Sequence, residues 1–338
     1  MIHTSTNKVC CFGELLLRFA LPNQWLSKEK LPYYVGGAEL NVATALANWG
    51  ATTSYITSLP DNYLGKEIAQ YIDKTGISIQ DILYAGKRVG IYYLPEGNDV
   101  KSQGVIYDRE HSSFSMIQPG TINWDAVFED CNWFHFSAII PALNSNLALV
   151  CKEAVEAADA KGLTISVDLN YRNKLWQYGV KPLSIMPELV KYCNVIMGNM
   201  WSAESLLGVR SPIHSSDGLS EVALSEAAVK SMRSLKESFP KASAIAYTHR
   251  LPEKYWGVLH YDQKDFISNL HNVKDAVGQV GSGDCFMAGL IFGFYQAHEP
   301  QQTLEFATAA AFNKLFIPSD CTTSTVHDIN KTLAAHEN

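Results

Sequence analysis

Hydrophobic residues along the chain fall into two kinds of segment that alternate. Short, nearly continuous apolar runs predict buried strands; they are KVCCFG (8–13), TSYITSL (53–59), WFHFSAI (133–139), LTISVDL (163–169), NVIMGN (194–199) and ASAIAYT (242–248). Longer runs with apolar residues three and four apart predict helices; they are AELNVATALANWG (38–50), NLALVCKEAVEAADAKG (146–162), EVALSEAAVKSMRSLKE (221–237) and QTLEFATAAAFNKLF (302–316). This alternation favours an α/β fold, a mostly parallel sheet with helices on both faces.

Two segments, at about 15–35 and 88–115, depart from this alternation. LLLRFALP and RVGIYYLPEGNDVKSQGVIYDRE alternate polar with aromatic or aliphatic residues, as half-buried strands of hairpins do. Neither is followed promptly by a helix. The sequence therefore predicts that both segments contribute strands to a small second sheet, a lid over a cleft. No linker divides the chain, so residues 1–338 are predicted to form a single domain.

Charge and cysteine content narrow the classes of partner and compartment. The 338 residues include 27 basic and 34 acidic side chains, a net charge of −7, with no basic run. This balance argues against nucleic acid and membrane surfaces as partners. The seven cysteines show neither C-x-x-C nor zinc-ligand spacing, and Cys10 and Cys11 are predicted to be core thiols. Without a secretion-signal pattern or about 20 continuous apolar residues, we expect a soluble protein of a reducing cytoplasm.

The stretch VGQVGSGDCFMAGLIFGF, which begins at Val277, carries the candidate chemistry. If a helix begins near Gly283, its unpaired first-turn amides form an anion site that the flanking glycines leave open to a phosphate. Asp284 has two interpretations. It complements the helix dipole, or it takes a proton from an attacking hydroxyl while the amides hold a phosphoryl group. The stretch matches neither a P-loop nor the dinucleotide fingerprint, which disfavours a dehydrogenase.

The ordered set of motifs resembles the ribokinase-like, PfkB-type carbohydrate kinases. GSGD before an apolar helix resembles the C-terminal signature of that family, and GGAELNVATALANWGATTSYITSLPDNYLG (36–65) resembles its N-terminal signature. Four further segments resemble the 2-keto-3-deoxygluconate kinase branch: GIYYL (90–94), VIYDREHSS (105–113), FHFSAIIPALN (134–144) and DLNYRNKLW (168–176). The resemblance covers nearly the whole chain.

This resemblance implies a fold, a reaction and an assembly. The fold is a ribokinase-like three-layer sandwich with a small β lid, through which two chains form a homodimer. The reaction is ATP-dependent phosphorylation of a primary hydroxyl of a sugar acid, with 2-keto-3-deoxygluconate converted to its 6-phosphate. ATP and Mg²⁺ are required, and a monovalent cation is allowed. The alternatives are a kinase for another ketose or a nucleoside, and a catalytically weakened paralogue that binds a sugar acid or nucleotide.

The resemblance also implies a role for individual residues and assigns no side chain as a metal ligand. The catalytic residues are Asp284 as the base, Arg172, and Gly281, Ser282 and Gly283 as the anion hole. The substrate-binding residues are Gly36, Gly37, Asn41, Tyr92, Tyr107, Arg109, Asn170, Arg172, Asp284 and Asp320. The nucleotide-binding residues are Asn199, Thr248, Arg250, Gly281, Gly283 and Asn313.

The residues themselves support part of this assignment and leave alternatives open. Arg109 lies among aromatic residues, and a guanidinium group binds a carboxylate through two parallel hydrogen bonds; an ion pair with Asp108 or Glu110 is the alternative. For Arg172 the alternative is a salt bridge with Asp168. Either Tyr92 or its neighbour Tyr93 serves packing only. Asn41 contacts the site, caps a helix or makes a core hydrogen bond.

Three positions depart from the family pattern. Gly278 stands where relatives carry an aspartate, and Ser319 where they carry a glycine. Met200, Trp201 and Ser202 stand where relatives carry the acidic residues that organise Mg²⁺; Glu204, about half a turn further on, is the nearest carboxylate. The sequence therefore keeps Asp284 while losing acidic residues that support the metal.

Overall fold

The computed structural model describes residues 8–95 and 104–335. Its strands are β1 Lys8–Phe12, β2 Leu16–Leu21, β3 Tyr33–Gly36, β4 Thr52–Leu59, β5 Ile77–Ser78, β6 Ile82–Tyr84, β7 Gly90–Pro95, β8 Ile106–Asp108, β9 Cys131–Ser137, β10 Thr164–Asp168, β11 Val195–Gly198, β12 Ala244–Leu251, β13 Lys254–Tyr261, β14 Lys264–Ile267 and β15 His271–Asn272. Its helices are α1 Ala38–Asn48, α2 Tyr63–Asp73, α3 Trp124–Val127, α4 Ser145–Ala160, α5 Met186–Val190, α6 Met200–Leu207, α7 Glu221–Ser238, α8 Ser282–Tyr295, α9 Pro300–Lys314 and α10 Val326–Ala334. Trp25–Ser27 and Pro182–Ser184 form short 3-10 turns.

The main sheet has the strand order β14–β13–β12–β11–β10–β9–β1–β4–β5, with β6 beside β4 and β15 beside β13. Neighbours from β12 to β5 are parallel, and β13 and β14 extend the sheet as antiparallel strands. Parallel neighbours need crossover connections, which the intervening helices supply. Every strand and helix predicted from the apolar pattern is present.

Helices cover both faces of this sheet, because side chains along a strand alternate between its faces. Cys10 and Phe12 of β1 belong to a buried cluster that includes residues of α3 to α7. Val9 and Cys11 belong to a second cluster, with residues of α1, α2 and α8 to α10. The predicted three-layer α/β arrangement is confirmed. None of the described helices is both apolar enough and long enough to span a membrane.

One prediction about the core is wrong. Cys10 is not a free thiol but forms a disulfide with Cys131, 121 residues away, with a Cα–Cα distance of 6.4 Å. The parallel pairing of β1 with β9 brings the two cysteines together. Cysteine spacing along the chain cannot report such a pairing. Cys11, on the opposite face of β1, is free and buried as predicted.

The second sheet is present and has the order β3–β2–β7–β8. Its strands come from the two segments predicted for it, with residues 96–103 lying outside the described part of the chain. Leu16, Tyr92 and Leu94 form its buried face with Val105, and Val280 of the glycine-rich stretch packs against this group. The small sheet therefore contacts the loop that leads into α8. Its role as a lid stays a prediction.

Candidate active site

A cleft of about 600 Å³ lies where the small sheet meets the carboxyl end of the parallel strands. Ligands of open α/β sheets bind at this end, because the loops that follow the strands converge there. The cleft is lined by most of the residues predicted for the site: Gly37, Asn41, Tyr92, Tyr107, Arg109, Asn170, Arg172, Asn199, Thr248, Arg250, Gly281, Ser282, Gly283 and Asp284. Gly36, Asn313 and Asp320 are not on its wall.

The start of α8 forms one end of the cleft. Gly281 caps the helix with φ 81°, and a Cβ at this position would stand 2.0 Å from the carbonyl oxygen of Asp320. Both the positive φ and the close approach therefore require glycine. The next residues, Ser282 and Gly283, open the first turn of α8. The Ser282 amide donates to the carbonyl oxygen of Gln279 at 3.4 Å, so within the described residues the amides of Gly283 and Asp284 are the first-turn donors left open. This geometry agrees with the predicted anion site.

Asp284 lies in that first turn and is 8% exposed. Its Oδ2 accepts a hydrogen bond of 2.6 Å from Asn41 Nδ2, and Cys321 Sγ donates in turn to Asn41 Oδ1 at 3.2 Å. Burial raises the pKa of Asp284 to about 6, opposed by the Asn41 hydrogen bond and the charge of Arg172. The carboxyl group is thus ionised at neutral pH but more basic than a solvated aspartate.

Two glycines precede the helix that carries Asn41. Gly37 is the N-cap of α1 with φ 136°, and a Cβ there would lie 2.3 Å from the carbonyl oxygen of Glu14. A Cβ on Gly36 would lie 2.5 Å from Asp320 Oδ2. The glycine pair therefore lets α1 begin directly against these groups, which brings Asn41 within reach of Asp284.

Arg109 is held by a residue that the sequence analysis missed. Its Nε and Nη2 donate to Glu14 Oε2 at 2.7 and 2.6 Å, and Ser112 Oγ donates to Glu14 Oε1 at 2.5 Å. The alternative of an ion pair with Asp108 or Glu110 is wrong, since Asp108 instead accepts from Arg88 at 2.7 Å. Within the described residues, Arg109 Nη1 has no recorded acceptor, and the guanidinium group lines the cleft.

Asp320 is buried behind the cleft wall, 1% exposed, and both its oxygens are occupied. Arg18 Nε donates to Oδ1 at 2.7 Å, and the Tyr92 hydroxyl donates to Oδ2 at 3.0 Å. Tyr92 thereby lies on the wall, whereas Tyr93 stacks on Phe19 with a centroid distance of 5.7 Å. This contact agrees with the expectation that one tyrosine of this pair serves packing only. Asp320 positions Tyr92 from behind.

The opposite part of the cleft begins at Asn199, the N-cap of α6. Its Oδ1 accepts from Ser202 N at 2.9 Å, and its own amide donates to Ser202 Oγ at 3.0 Å, a complete capping box. Ser202 also lines the cleft, whereas Glu204 is exposed and does not. No acidic residue lies in the first turn of α6.

A smaller cavity of about 190 Å³ shares Arg250, Leu251 and Gln279 with the cleft. Its other walls are mainly apolar and include Val273 and Leu315. Asn313, predicted to contact a nucleotide, is on α9 outside both cavities, and its Oδ1 accepts from Thr332 Oγ1 at 2.8 Å.

Four buried charged residues near the cleft were missed by sequence reasoning: Glu14, Arg18, Glu39 and Lys314. Burial raises the pKa of Glu39 to about 7. Each interrupts an otherwise apolar run, such as GELLLRFA or AAAFNKLF. Because charged residues are rarely fully buried without a partner, this isolation is the signal that could have identified them.

Comparison with known proteins places the chain among sugar kinases. The family model described as pfkB family carbohydrate kinase matches residues 6–315. The crystal structure of 2-dehydro-3-deoxygluconokinase from Thermotoga maritima superposes with a TM-score of 0.87 and 31% identity, covering 97% of this chain and 99% of the other. A PfkB family carbohydrate kinase from Listeria grayi gives a TM-score of 0.84 at 25% identity, covering 97% and 100%.

A curated relative matches over a shorter stretch. The 2-dehydro-3-deoxygalactonokinase of Haloferax volcanii is 32% identical over 173 residues, which are 51% of this chain and 54% of that protein. The match to this relative therefore spans only about half of its length.

Proposed function

Because the chain belongs to the pfkB family of carbohydrate kinases, we propose that it transfers the γ-phosphoryl group of ATP to a primary hydroxyl of a sugar acid. The preferred substrate is 2-keto-3-deoxygluconate (2-dehydro-3-deoxygluconate), with its 6-phosphate and ADP as products. The observation that carries the proposal is a buried, partly basic Asp284 beside the open amides of α8, in a cleft that three arginines also line.

Asp284 is the general base of this proposal. It removes the proton from the substrate hydroxyl as the hydroxyl oxygen bonds to the γ-phosphorus, and the bond from phosphorus to the leaving oxygen of ADP breaks. A base works best when its pKa lies near the working pH, which a value of about 6 satisfies. The amides at the start of α8 and the guanidinium group of Arg172 stabilise the charge on the transferring phosphoryl group.

The preference for a sugar acid rests on Arg109. A neutral sugar has no carboxylate, whereas a sugar acid presents one that a guanidinium group binds with charge-assisted hydrogen bonds. Glu14 fixes the orientation of Arg109, and Tyr92 and Tyr107 stand beside it on the cleft wall. The names of the Thermotoga and Haloferax relatives point to the same class of substrate, in two epimeric forms.

ATP is proposed to place its phosphates at α8 and its base in the smaller, mainly apolar cavity. Mg²⁺ neutralises the phosphates in such reactions and is commonly held by one or two carboxylates, phosphate oxygens and water. The cleft wall fits this limited demand, since it offers the carboxylate of Asp168 in addition to the proposed base Asp284. Among the described residues, no three metal-ligating side chains form a cluster.

The decisive experiment is a coupled ADP-release assay at saturating Mg²⁺. The substrates are 2-keto-3-deoxygluconate, its galactonate epimer, fructose, ribose and adenosine. We expect the highest kcat/KM with one of the two sugar acids. Greater activity on a neutral ketose or a nucleoside would contradict the substrate assignment while keeping the kinase assignment.

Asp284→Asn is the matched variant for this assay. Asparagine keeps the shape of the side chain but cannot accept the proton, so kcat falls by roughly 10²- to 10⁴-fold. Affinity for a non-hydrolysable ATP analogue stays close to that of the unaltered protein. If the unaltered protein turns over none of the five substrates, the alternative of a weakened sugar-acid- or nucleotide-binding paralogue takes its place.

A further inference from the structure

One buried charge near the cleft has no part in the chemistry proposed above. Lys314 is the last residue of α9 and is 0% exposed, one of the largest fully buried side chains of the molecule. Its Nζ donates to the carbonyl oxygen of Ile317 at 3.0 Å. Among the described residues, this ammonium group donates to a carbonyl oxygen and not to a carboxylate. Burying a charge in this way is costly, so its position calls for a reason.

Lys314 lies directly beneath the glycine-rich stretch. Its Cε is 3.3 Å from the point that a Cβ on Gly281 would occupy. Since a single bond spans about 1.5 Å, the ammonium nitrogen is within about 6.5 Å of the Gly281 Cα. Gly281 is the N-cap of α8, so this charge stands behind the proposed phosphate site and does not line the cleft.

Carbonyl oxygens also gather beneath this stretch. The oxygen of Leu315 accepts from the amides of Val277 and Gly278 at 2.9 and 3.0 Å. The oxygen of Ile317 accepts from Lys314, and that of Asp320 reaches to 2.0 Å from the Cβ position of Gly281. Several carbonyl oxygens of residues 315–320, the negative ends of peptide dipoles, therefore lie against residues 277–281.

These dipoles, together with the carboxylates of Asp284 and Asp320, would make the region behind the phosphate site negative. A phosphate bound above it would be repelled, unless a cation compensated. Arg18 compensates part of this charge, since it pairs with Asp320 and donates to the carbonyl oxygen of Pro318 at 3.2 Å. Lys314 is the buried cation next to Gly281; burial lowers its pKa, while the charges of Asp320 and Asp284 act to keep it protonated. Because the ammonium group is attached to the chain, it needs no binding from solution.

We propose that Lys314 is a built-in cation of the phosphate-binding stretch, which holds residues 277–281 in their anion-binding conformation and makes a dissociable monovalent cation unnecessary. The inference rests on the proposed function, in which ATP phosphates bind at α8. Lys314 does not touch the substrate and is a positioning residue.

The competing interpretation is purely structural, because lysine at the C-terminus of a helix bonds terminal carbonyls and complements the dipole. The chain supplies a matched example. Lys236 in the last turn of α7 donates to the carbonyl oxygens of Pro240 and Ala242, each at 2.9 Å, and does not line the cleft. Lys236→Ala therefore serves as the control for the loss of such a capping lysine.

The test measures binding of adenosine 5′-(β,γ-imido)triphosphate with Mg²⁺ by calorimetry, in chloride salts of choline, sodium, potassium and ammonium. We expect the unaltered protein to bind with equal affinity in all four salts. Lys314→Ala should bind roughly 10- to 100-fold more weakly in choline chloride, the loss of one charge-assisted contact. Potassium or ammonium should restore much of this loss by entering the space left by the side chain. Lys236→Ala should bind as the unaltered protein does.

If Lys314→Ala fails to fold, Lys314→Met keeps the length of the side chain without its charge. It should show the same weakening with no response to ammonium, because its side chain fills the space. The proposal is overturned if the unaltered protein requires potassium, if both variants bind the analogue normally, or if the loss in Lys314→Ala is the same in every salt. No sugar is present in these measurements, so a failure of the proposed sugar-kinase activity would be seen separately, in the ADP-release assay.

Discussion

Two opposing effects set the pKa of Asp284 and therefore its strength as a base. Burial disfavours the carboxylate and raises its pKa from 3.8 to about 6, while Asn41 and Arg172 favour the charged form. Without burial the group would be a weaker base, and without its two partners its pKa would lie still higher. The pH dependence of the reaction should therefore report on these contacts.

We expect kcat/KM for the sugar acid to fall below about pH 6, because the base must be deprotonated before it can accept a proton. Asn41→Leu removes the 2.6 Å hydrogen bond to the carboxylate, so the pKa rises and this acidic limb moves to higher pH. Asn48→Leu is the control, because Asn48 is on the same helix but donates to the carbonyl oxygen of Ser324, and it should leave the limb in place. A limb that does not move in Asn41→Leu would show that Asp284 is not the titrating group.

Arg109 is predicted to act through the geometry of its guanidinium group. Arg109→Lys retains a positive charge facing Glu14 but cannot present the same fork of donors to a substrate carboxylate. We expect KM for the sugar acid to rise by roughly 10- to 150-fold, the loss of a charge-assisted hydrogen bond. KM for ATP should stay the same.

Two controls separate recognition from structure in this experiment. Fructose has no carboxylate for Arg109 to bind, so its turnover should barely change. Arg88→Lys alters the neighbouring arginine, which pairs with Asp108 at the surface, and should affect neither substrate. Equal losses for sugar acid and fructose would mean that the Glu14–Arg109 pair is needed only to fold the small sheet.

At the scale of single elements, the first turn of α6 departs from the family pattern. Ser202 completes the capping box with Asn199 at a position where the family pattern carries acid. Glutamate is also a favourable third residue of a capping box, so Ser202→Glu should keep the helix start. It would add a carboxylate at the cleft wall, and we expect the Mg²⁺ concentration for half-maximal activity to fall.

Glu204→Gln is the control for this prediction, because Glu204 lies on the same helix but is exposed and away from the cleft wall. Its removal should leave the Mg²⁺ dependence unchanged. If instead Glu204→Gln raises the Mg²⁺ requirement and Ser202→Glu has no effect, the carboxylate of Glu204 already helps to hold Mg²⁺.

Helix α1 carries the buried carboxyl group of Glu39, whose pKa is raised from 4.5 to about 7, chiefly by burial. The folded state thus holds a proton that the unfolded state releases, and the free energy of unfolding falls as pH rises from about 4.5 to 7. This loss amounts to roughly 3 kcal/mol at most. Glu39→Gln removes the titration, so its stability relative to the unaltered protein should increase across this window. Thermal melts at pH 5 and pH 8 that show the same difference in Tm would contradict the assignment.

At the scale of the whole molecule, the sequence predicted what depends on local pattern. Apolar runs located six of the eleven strands of the main sheet, and the glycines around Asp284 indicated where α8 begins, because the backbone there requires glycine. The second sheet was predicted because its segments alternate polar with apolar residues, whereas the strands of the main sheet are nearly continuous apolar runs. The residues that it contributes to the cleft, Tyr92, Tyr107 and Arg109, were assigned through family resemblance.

Pairings between distant residues could not be predicted. Arg18 meets Asp320 across 302 positions, and Arg109 meets Glu14 across 95, because each pair depends on the small sheet packing against the main body. The β13–β14 hairpin was also missed. Its turn residues Asp262 and Gln263 take φ values of 45° and 64° without the glycine that usually marks such turns.

The outer part of the small sheet leads to the last prediction, which concerns assembly. Leu26, Tyr33 and Ile106 are 83%, 63% and 59% exposed, and β3 and β8 are the edge strands of this sheet. Tyr33 and Ile106 lie on these two edge strands, and Leu26 lies in the 3-10 turn between β2 and β3. Exposed apolar side chains favour association, and two identical faces related by a two-fold axis can bury each other. We therefore propose a homodimer through the small sheet. Light scattering should give the mass of two chains, and Leu26→Asp should shift the equilibrium towards one chain by placing two like charges in the interface.

Val222→Asp provides the matched control, because Val222 is also exposed, at 67%, but belongs to α7 in the main body. It should leave the mass of the assembly unchanged. If Leu26→Asp dissociates the dimer, the sugar-acid KM shows whether assembly supports the cleft, since Tyr92 and Arg109 come from the same segments as the proposed interface. A raised KM in the single chain would mean that the partner stabilises the closed small sheet. Dissociation by Val222→Asp instead, or the mass of one chain at every concentration, would rule out this interface.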